Sequence, residues 1–438
     1  MTEKQSEWRR AQNLDDAWSN FAPYYPLPSG SPFYVPRKDS PLDQLQRSLL
    51  RRHDSPQKYF FSGFMGCGKS TELNRLATNT DLNRRYFVVK FSIRETCDLN
   101  NLNYVDVLVA IGARIFESST NQGCKLDARI YHELKTWGQR VEERIKEKGI
   151  EALAKAEGGV GLESPKWIAS FFLRLTGKIQ AEYSSRKIIR ETLEPTLTDL
   201  LAAINLIASG ILAKTKQPVL VLVDDLDKAG VDDALGLFKD SLAALLQPSF
   251  YMLYTVPVWV FYSSEFPSIR RPNAFLLPNV KLHPKGHRDK KDQQGFKIMR
   301  DFVFRRMSEK LISTQALNYA IKMSGGVFRE LARIMQITVD FAIERDSESV
   351  QITDVKRAVN ELRNEFRRIL EEGDYEALNE IYRHQDYEGI DRIRHLLERL
   401  LVLEYVNDEN WLDIHPVLEE IVQAWSESSK NRSSPKSS

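Results

Sequence analysis

The spacing of hydrophobic and polar residues predicts short buried strands separated by amphipathic helices. Lys58–Ser62, Tyr86–Ser92 and Val219–Val223 are apolar or β-branched runs of strand length. Further strands are predicted at Tyr251–Thr255 and Val280–Leu282. The run Val219–Val223 contains no polar residue, as expected for a strand that is covered on both faces. Strands that alternate with helices predict an α/β fold with a parallel sheet.

Longer stretches are predicted to be helical. Leucines at helical spacing predict a helix over 41–52, and Ser40 followed by proline is a favourable helix start. A second helix is predicted over 69–77. Residues 121–217 are charged and helical in pattern, and they provide far more chain than a crossover between parallel strands requires. We expect a large helical insertion there, built either of packing helices or of a surface for a partner protein.

The rest of the chain divides into regions of different pattern. Residues 1–40 are rich in proline, serine and aromatic residues, which predicts an arm or an extended loop rather than a helix. Residues 41–290 would form a core that contains the sheet and the insertion, and 291–372 would form a helical lid. In 373–425, helices precede two alternating runs, Val402–Val406 and Trp411–Ile414, on either side of a turn-forming cluster, which predicts a β-hairpin within a winged-helix domain. The serine-rich tail, 426–438, is predicted to be disordered.

Composition excludes several other classes of protein. The 438 residues include 62 lysine and arginine against 60 aspartate and glutamate, so no global charge attracts nucleic acid or a membrane. Cysteine occurs only at Cys67, Cys97 and Cys124, which are too few and too widely spaced for a disulfide framework or a zinc site. The longest apolar stretch, Met252–Tyr262, is interrupted and well short of the ~20 residues that cross a bilayer. We therefore expect a soluble, cytoplasmic protein with no membrane partner.

The strongest chemical signal is a glycine-rich loop between a predicted strand and a predicted helix. Its residues, Gly63-Phe64-Met65-Gly66-Cys67-Gly68-Lys69-Ser70, match G-x-x-x-x-G-K-[ST], the Walker A motif. Glycines let successive backbone N–H groups wrap a phosphate chain, and the following helix N-terminus favours negative charge. Lys69 would neutralise the β- and γ-phosphates, and Ser70 would hold Mg²⁺. The predicted nucleotide-binding residues here are Gly63, Gly66, Cys67, Gly68, Lys69, Ser70 and Thr71.

An acidic pair follows the buried run 219–223 and resembles the end of a Walker B strand. Asp224 would hold Mg²⁺ through water, and Asp225 stands where the residue that polarises the attacking water is found. AAA+ ATPases usually carry glutamate there, so the shorter aspartate predicts slow hydrolysis. By itself, such a pair is often only the first turn of a helix; the Walker A motif upstream favours the Mg²⁺ role.

Two further elements lie in the order expected for such an ATPase. Ser324–Leu331 looks like the sensor 2 motif of AAA+ proteins, G-x-x-R-x-L, in which Arg329 would reach the γ-phosphate from the lid. The alternative is a glycine helix break followed by a surface arginine. Thr255 ends a predicted strand, where AAA+ and STAND ATPases place the polar sensor 1 residue. A core threonine within a strand is the alternative at that position.

The two ends of the chain contain weaker matches. Phe33–Arg37 resembles the adenine-side entry segment of origin-recognition-type and STAND ATPases, so Val35 and Arg37 are candidates for nucleotide contact. His415 follows a predicted strand and precedes a helix, in the context of the Met-His-Asp segment of STAND winged-helix domains. In that family, the histidine approaches the β-phosphate of bound ADP. A histidine satisfied at a helix start, with Pro416 as the first helical residue, is the alternative.

Together these motifs resemble P-loop ATPases of the AAA+ and STAND type, nearest the branch of origin-recognition and bacterial STAND-like proteins. The resemblance covers roughly residues 30–425, with a gap at the insertion. It implies a P-loop sheet with a helical lid and a C-terminal winged helix, and ATP with Mg²⁺ as cofactors. STAND proteins usually continue into sensor repeats or carry an effector domain. Because neither is recognisable here, we expect a separate effector or a role for the helical insertion.

The sequence supports more than one function. The first is an ATP-dependent switch that hydrolyses slowly and assembles with itself or signals to a separate effector, with anti-phage defence implied by resemblance to bacterial conflict-system proteins. The second is a DNA-binding initiator- or regulator-like ATPase. Residues 281–310 contain ten lysine and arginine against four acidic residues, and Arg392, Arg394, His395 and Arg399 lie on one predicted helix. The third is a scaffold in which the insertion docks a partner protein and the nucleotide only stabilises the fold.

Overall fold

The computed structural model describes residues 8–37, 40–149, 165–261, 266, 269, 272–406 and 410–433. The chain forms two compact units. The first unit comprises Met1–Pro41, Gly63–Glu72 and Leu276–Ser438, and the second comprises Leu42–Ser62 and Leu73–Phe275. The predicted lid and winged-helix regions therefore belong to one unit, together with the predicted N-terminal arm and the glycine-rich loop.

The central sheet has five strands in the order β2-β3-β4-β1-β5. Its strands are β1 (Lys58–Gly63), β2 (Phe87–Ser92), β3 (Val219–Asp224), β4 (Tyr251–Val256) and β5 (Ala274–Leu277). The pairs β2–β3, β3–β4 and β4–β1 are parallel. Every residue of β3 and β4 is buried, because helices cover both faces of a parallel sheet. This arrangement confirms the predicted α/β fold with a parallel sheet.

One predicted strand is wrong. The fifth strand of the sheet is Ala274–Leu277, and Val280–Leu282 lies outside it. The Val280 N–H donates to the Gly326 carbonyl at 3.1 Å, so this segment joins the turn between two helices of the first unit. The apolar pattern at 280–282 reflects that burial and not a place in the sheet.

The second unit contains most of the helices that surround the sheet. They are α2 (Leu42–Leu50), α4 (Thr80–Arg85), α5 (Tyr104–Asn121), α6 (Ala128–Glu147), α7 (Pro165–Ala181), α8 (Tyr183–Leu193), α9 (Leu197–Thr215), α10 (Val231–Leu235) and α11 (Leu242–Leu245). The helix α3 (Lys69–Ala77) follows the glycine-rich loop. Helices α5 to α9 lie between β2 and β3 in the chain and pack into one hydrophobic core with the sheet. The predicted helical insertion is confirmed, and its helices begin at Tyr104.

The first unit is mainly helical. Its helices are α1 (Leu14–Asn20), α12 (Gln293–Arg306), α13 (Thr314–Met323), α14 (Phe328–Glu344), α15 (Ile352–Ile369), α16 (Asp374–His384), α17 (Arg394–Glu398) and α18 (Glu419–Ser433). The strands β6 (Val402–Val406) and β7 (Asn410–Ile414) pair in antiparallel register, which confirms the predicted hairpin. Assignment of this region to the winged-helix class stays a prediction.

Both ends of the chain contain more helix than the sequence predicts. Residues 14–20 of the predicted arm form α1, since Asn13 caps it by accepting from the Asp16 N–H and its buried face packs on α14. Helix α18 continues to residue 433, so the tail prediction is wrong for 426–433. The Trp425 ring stacks on Tyr375 with centroids 6.0 Å apart, which holds α18 against α16. Residues 434–438 lie outside the described part of the chain.

One helical run has the length and composition of a membrane span. It covers Tyr183–Thr215, and 44% of its most apolar window is buried inside the structure. Single polar residues interrupt its apolar stretches, so the sequence pattern does not mark it as one long apolar run. A buried core helix can have the same length and apolar composition as a membrane span. Eight residues of α9 are buried in the second unit.

Candidate nucleotide-binding site

The glycine-rich loop connects the end of β1 to the start of α3, as the sequence predicts. Gly66 and Gly68 have φ angles of +83° and +107°, in the region that favours glycine. The Cys67 side chain is buried, and its N–H donates to the Phe64 carbonyl at 3.2 Å. Within the described part of the chain, nothing lies within 4 Å of the position that a Gly68 Cβ would take, so the loop is open on that side.

Lys69 lies over the loop that it follows. Its Nζ donates to the carbonyl oxygens of Gly63 at 2.5 Å and Phe64 at 2.9 Å, and the side chain is 6% exposed. Ser70 and Thr71 are the next residues of α3, at the helix N-terminus, where the orphan N–H groups and the helix dipole favour an anion. A cation, open loop amides and a helix start therefore meet at one place.

Residues of the N-terminal segment pack against this loop and the first turn of α3. The Leu27 N–H donates to Thr71 Oγ1 at 3.1 Å, and the Tyr34 hydroxyl donates to Glu72 Oε1 at 3.1 Å. Val35 is buried. The structure thus brings the predicted adenine-side segment and the predicted phosphate loop together within the first unit.

Arg37 points at the backbone of the glycine-rich loop. It is 8% exposed, and its guanidinium donates to the carbonyl oxygens of Cys67 at 3.3 Å and Pro278 at 2.6 Å. The guanidinium carbon also lies 5.7 Å from the centroid of the Phe328 ring. The Arg37 side chain, a predicted candidate for nucleotide contact, thus contacts a main-chain oxygen of the phosphate loop.

Arg329 is in the first turn of α14 and contacts the tip of the same loop. Its N–H donates to the Gly66 carbonyl at 3.2 Å. A Cβ on Gly66 would lie 2.5 Å from Cβ of Arg329, so only glycine allows this approach. Nε of Arg329 is buried and has no hydrogen-bond partner among the residues that the structure describes. The structure thus places the predicted sensor 2 arginine beside the predicted phosphate loop.

The turn before α14 is held by a short segment after β5. Gly326 has a φ of +74°, and a Cβ there would lie 1.8 Å from the Val280 carbonyl oxygen. Asn279, next in the same segment, donates from Nδ2 to the Glu404 carbonyl at 3.4 Å. The Tyr405 hydroxyl of β6 donates to the Gly325 carbonyl at 2.7 Å. The hairpin β6–β7 therefore contacts the turn that carries Arg329.

The predicted Walker B residues lie at the end of β3 in the second unit. Oδ1 of Asp224 accepts from the Asp225 N–H at 2.9 Å, and Oδ2 lies 3.6 Å from Lys90 Nζ. Asp225 has a φ of +68° and accepts hydrogen bonds from Ser92 Oγ and Lys228 Nζ. Burial by itself would raise the pKa of Asp225, but the bonds from Lys228 and Ser92 lower it.

Thr255 stabilises the backbone around this acidic pair. It is fully buried at the end of β4, where its hydroxyl donates to the Val223 carbonyl at 3.3 Å and accepts from the Leu226 N–H at 3.0 Å. Its only hydroxyl proton is thus used within the sheet. A sensor 1 role for Thr255 stays a prediction, and the contacts found are those of a core threonine.

His415 is fully buried between the hairpin and α15. Its Nδ1 accepts from the Val417 N–H at 3.4 Å, its ring packs edge-on against Phe366, and Nε2 has no partner in the described structure. Burial, with a smaller effect of Arg333, lowers its pKa to about 3. These contacts are those of a helix-start histidine, and its predicted approach to a bound nucleotide stays a prediction.

The acidic cluster after β3 has the donors that a divalent cation needs. One carboxylate oxygen from each of Asp224, Asp225 and Asp227 lies within 4.8 Å of the others. Hard cations such as Mg²⁺ prefer carboxylate oxygens and retain several waters, so the cluster fits this ion. The basic side chains of Lys90 and Lys228 lie against the same carboxylates.

Comparison with known proteins identifies fold similarity only. No protein-family model and no curated protein matches the chain. Among solved structures, Cdc6p from Pyrobaculum aerophilum is 14% identical, with 96% of this chain and 100% of that chain covered and a TM-score of 0.41. Drosophila ORC bound to DNA is 10% identical, with 97% and 93% covered and a TM-score of 0.40. The Walker-type ATPase paby2304 of Pyrococcus abyssi is 13% identical, with 90% and 99% covered and a TM-score of 0.39. Similarities this low assign neither a family nor an activity.

Some residues around these sites were not predicted. Asn279 and Tyr405 hold the turn before α14, and no sequence motif marks either of them. Ser92 ends β2 and meets Asp225 only because the two strands pair in register. The pairing of Lys228 with Asp225 could have been predicted, because Lys228 lies three residues after Asp225 in the sequence.

Proposed function

We propose that this protein binds ATP with Mg²⁺ and hydrolyses it slowly, as a switch that acts through self-assembly or a separate effector protein. The observation that carries the proposal is the glycine-rich loop, where Lys69, the N-terminus of α3 and the first turn of α14 with Arg329 converge. Such a loop holds phosphates with backbone N–H groups and a lysine. Ser70 and Asp224 are the proposed ligands of Mg²⁺.

The environment of Asp225 supports slow hydrolysis. A residue that polarises water needs a carboxylate oxygen free to accept the proton of that water. Both oxygens of Asp225 already accept hydrogen bonds, one from Ser92 and one from Lys228. These bonds also lower its pKa, which makes the carboxylate a weaker base. A weaker base polarises water less, so we expect turnover to be slow.

The alternatives from the sequence have less support. Two of the residues proposed to contact DNA are already engaged within the protein: His395 pairs with Asp374 at 2.7 Å, and Arg399 donates to the Ile369 carbonyl. Arg392 lies in a 3₁₀ turn before the five-residue helix α17, so the basic residues do not share one helix. For the scaffold function, the described helices of the insertion pack into the core of the second unit, and nothing in this described part identifies a partner. Anti-phage defence rests on resemblance alone.

The test combines nucleotide affinity, turnover and particle size. Affinities for ATP and ADP would be measured by calorimetry, phosphate release would be followed with ATP, and mass photometry would compare apo protein, ADP, ATP and a non-hydrolysable ATP analogue. We expect Lys69→Ala to weaken ATP binding roughly a hundredfold, because a charge-assisted contact to phosphate is lost. Lys356→Ala, which changes an exposed lysine of α15, is the matched control.

Asp225→Asn separates binding from hydrolysis. Asparagine tolerates the positive φ of this position, so we expect ATP binding to persist while phosphate release is lost. Unchanged ATP affinity in Lys69→Ala would contradict the nucleotide site. Tight ATP binding without any change in size or any phosphate release would favour the scaffold.

A further inference from the structure

Arg37 forms a direct contact between the N-terminal segment and the glycine-rich loop. Its guanidinium donates to the Cys67 carbonyl inside the loop and to the Pro278 carbonyl just after β5. The side chain is 8% exposed, and the Phe328 ring lies against its guanidinium. Phe328 directly precedes Arg329 in α14. One arginine thus contacts three segments that surround the loop.

The peptide group that Arg37 contacts is important for phosphate binding. The Cys67 carbonyl and the Gly68 N–H belong to the same planar trans peptide, so they point in opposite directions. A donor that holds the carbonyl on one side therefore directs the N–H to the other side. No atom of the described residues lies within 4 Å of the position that a Cβ on Gly68 would take, so the loop leaves room beside this glycine. Backbone N–H groups of such glycine-rich loops are the ones that bind phosphate.

We propose that Arg37 is a positioning residue of the phosphate loop: it fixes the Cys67–Gly68 peptide so that the Gly68 N–H faces the phosphates, and it does not read the base. This inference rests on the proposed nucleotide-binding function. Arginine suits the task because its planar fork donates to two carbonyls at once, which the single ammonium of lysine cannot do with the same geometry.

The two roles predict different effects on nucleotide selectivity. If Arg37 positions the loop, then Arg37→Gln weakens binding of every nucleoside triphosphate by the same factor, about tenfold for the loss of charge-assisted hydrogen bonds. The ratio of ATP to GTP affinity then stays that of the unsubstituted protein. If Arg37 reads adenine, the loss is confined to ATP and this ratio falls.

The experiment measures ATP, ADP and GTP affinities by calorimetry for Arg37→Gln, Arg37→Lys and Arg10→Ala. Arg10 is the matched control, because it also anchors the N-terminal segment, through the Met307 carbonyl at 3.0 Å, but does not contact the loop. We expect Arg37→Lys to recover part of the lost affinity for all three nucleotides and Arg10→Ala to bind normally.

Several outcomes would overturn the proposal. Normal affinities in both Arg37 variants, or a changed ATP-to-GTP ratio, would exclude the positioning role. An equal loss in Arg10→Ala would show that general docking of the segment is responsible. If Arg37→Gln does not fold, Arg37→Lys gives the same comparison. If the unsubstituted protein binds no nucleotide, the proposed function fails instead, and that outcome is distinguishable because it does not depend on Arg37.

Discussion

His415 shows at the scale of one residue how burial changes chemistry. A neutral imidazole in this position accepts one hydrogen bond and packs against an aromatic ring, and a charged one would have no compensating partner. Burial therefore lowers its pKa to about 3, below the ordinary value of 6.5. The unfolded chain takes up a proton near pH 6.5, whereas the folded chain does not.

We predict that His415 makes the first unit sensitive to acid. A lowered folded-state pKa contributes stability above pH 6.5 that is lost as the pH falls from 6.5 toward 3. Between pH 7.5 and pH 5, the free energy of unfolding should fall by ~2 kcal/mol from this residue. His415→Asn keeps an acceptor for the Val417 N–H without titrating, so it should lack this component.

Hydrogen exchange of the amides in β6 and β7, measured at both pH values, would compare the two proteins. If the opening free energy changes equally with pH in the original chain and in His415→Asn, then buried His415 is not the cause of the acid sensitivity. A change confined to the original chain would support it.

At the scale of elements, the hairpin β6–β7 contacts the turn before α14 through a hydrogen bond and close packing. The Tyr405 hydroxyl donates to the Gly325 carbonyl, and Leu403 Cδ1 would lie 2.3 Å from a Cβ on Gly325. Gly325 and Gly326 both have positive φ. Because neither carries a Cβ, the turn fits between Leu403 of the hairpin and the Val280 carbonyl. The start of α14, and with it Arg329, depends on that turn.

We predict that Tyr405→Phe lowers the ratio of ATP affinity to ADP affinity. The variant leaves the buried Gly325 carbonyl without its donor, which costs about 1–2 kcal/mol of stability. Because the turn carries Arg329, the proposed γ-phosphate contact should weaken, so ATP affinity falls more than ADP affinity. Calorimetry with both nucleotides measures this ratio.

Tyr254→Phe is a suitable control for that measurement. Its hydroxyl donates to the Leu245 carbonyl at 2.7 Å, the same distance as in the Tyr405 bond, and the residue is fully buried in the second unit. Both variants should lose comparable stability. If both variants change the ratio of ATP to ADP affinity equally, the change results from lost stability. That outcome would contradict a specific role of the hairpin.

At the scale of the whole molecule, the distribution of charge is more informative than its sum. The basic residues of 281–310 are partly neutralised or buried: Arg288 forms a two-pronged contact with Asp413, and Lys281 pairs with Asp292 at 3.2 Å. Arg306 is buried between the Phe33 and Phe302 rings, and burial lowers its pKa to about 9. Three of the ten basic side chains of this segment are therefore engaged or buried within the first unit, and the other seven are exposed.

We predict weak binding of duplex DNA that does not depend on the C-terminal arginines. Contacts to phosphate depend on exposed lysine and arginine and produce a steep dependence on salt. Arg399 already donates to the Ile369 carbonyl, and Arg392 does not share its helix. Arg392→Ala with Arg399→Ala should therefore leave any DNA affinity unchanged, as measured by fluorescence anisotropy between about 50 and 200 mM salt. Salt-sensitive binding that disappears in the double variant would favour the DNA-binding ATPase instead.

Local sequence patterns predict the short elements and the positions of the candidate motifs. Helix α3 and the hairpin strands β6 and β7 were predicted almost to the residue, because periodicity, turn residues and the glycine motif are local signals. The same holds for the residues of the glycine-rich loop and the acidic pair, since their spacing along the chain is what defines them. The continuous apolar run of β3 likewise identified a strand buried on both faces.

The contacts of these residues follow from long-range packing. Arg37 and Cys67 are 30 positions apart, and Tyr405 and Gly325 are 80 apart, so no local pattern encodes either bond. The strand predicted at 280–282 failed for the same reason: burial against a distant turn and burial in a sheet give the same apolar pattern. Local propensities determine which elements form, and long-range packing determines which backbone oxygen an arginine or a tyrosine finds.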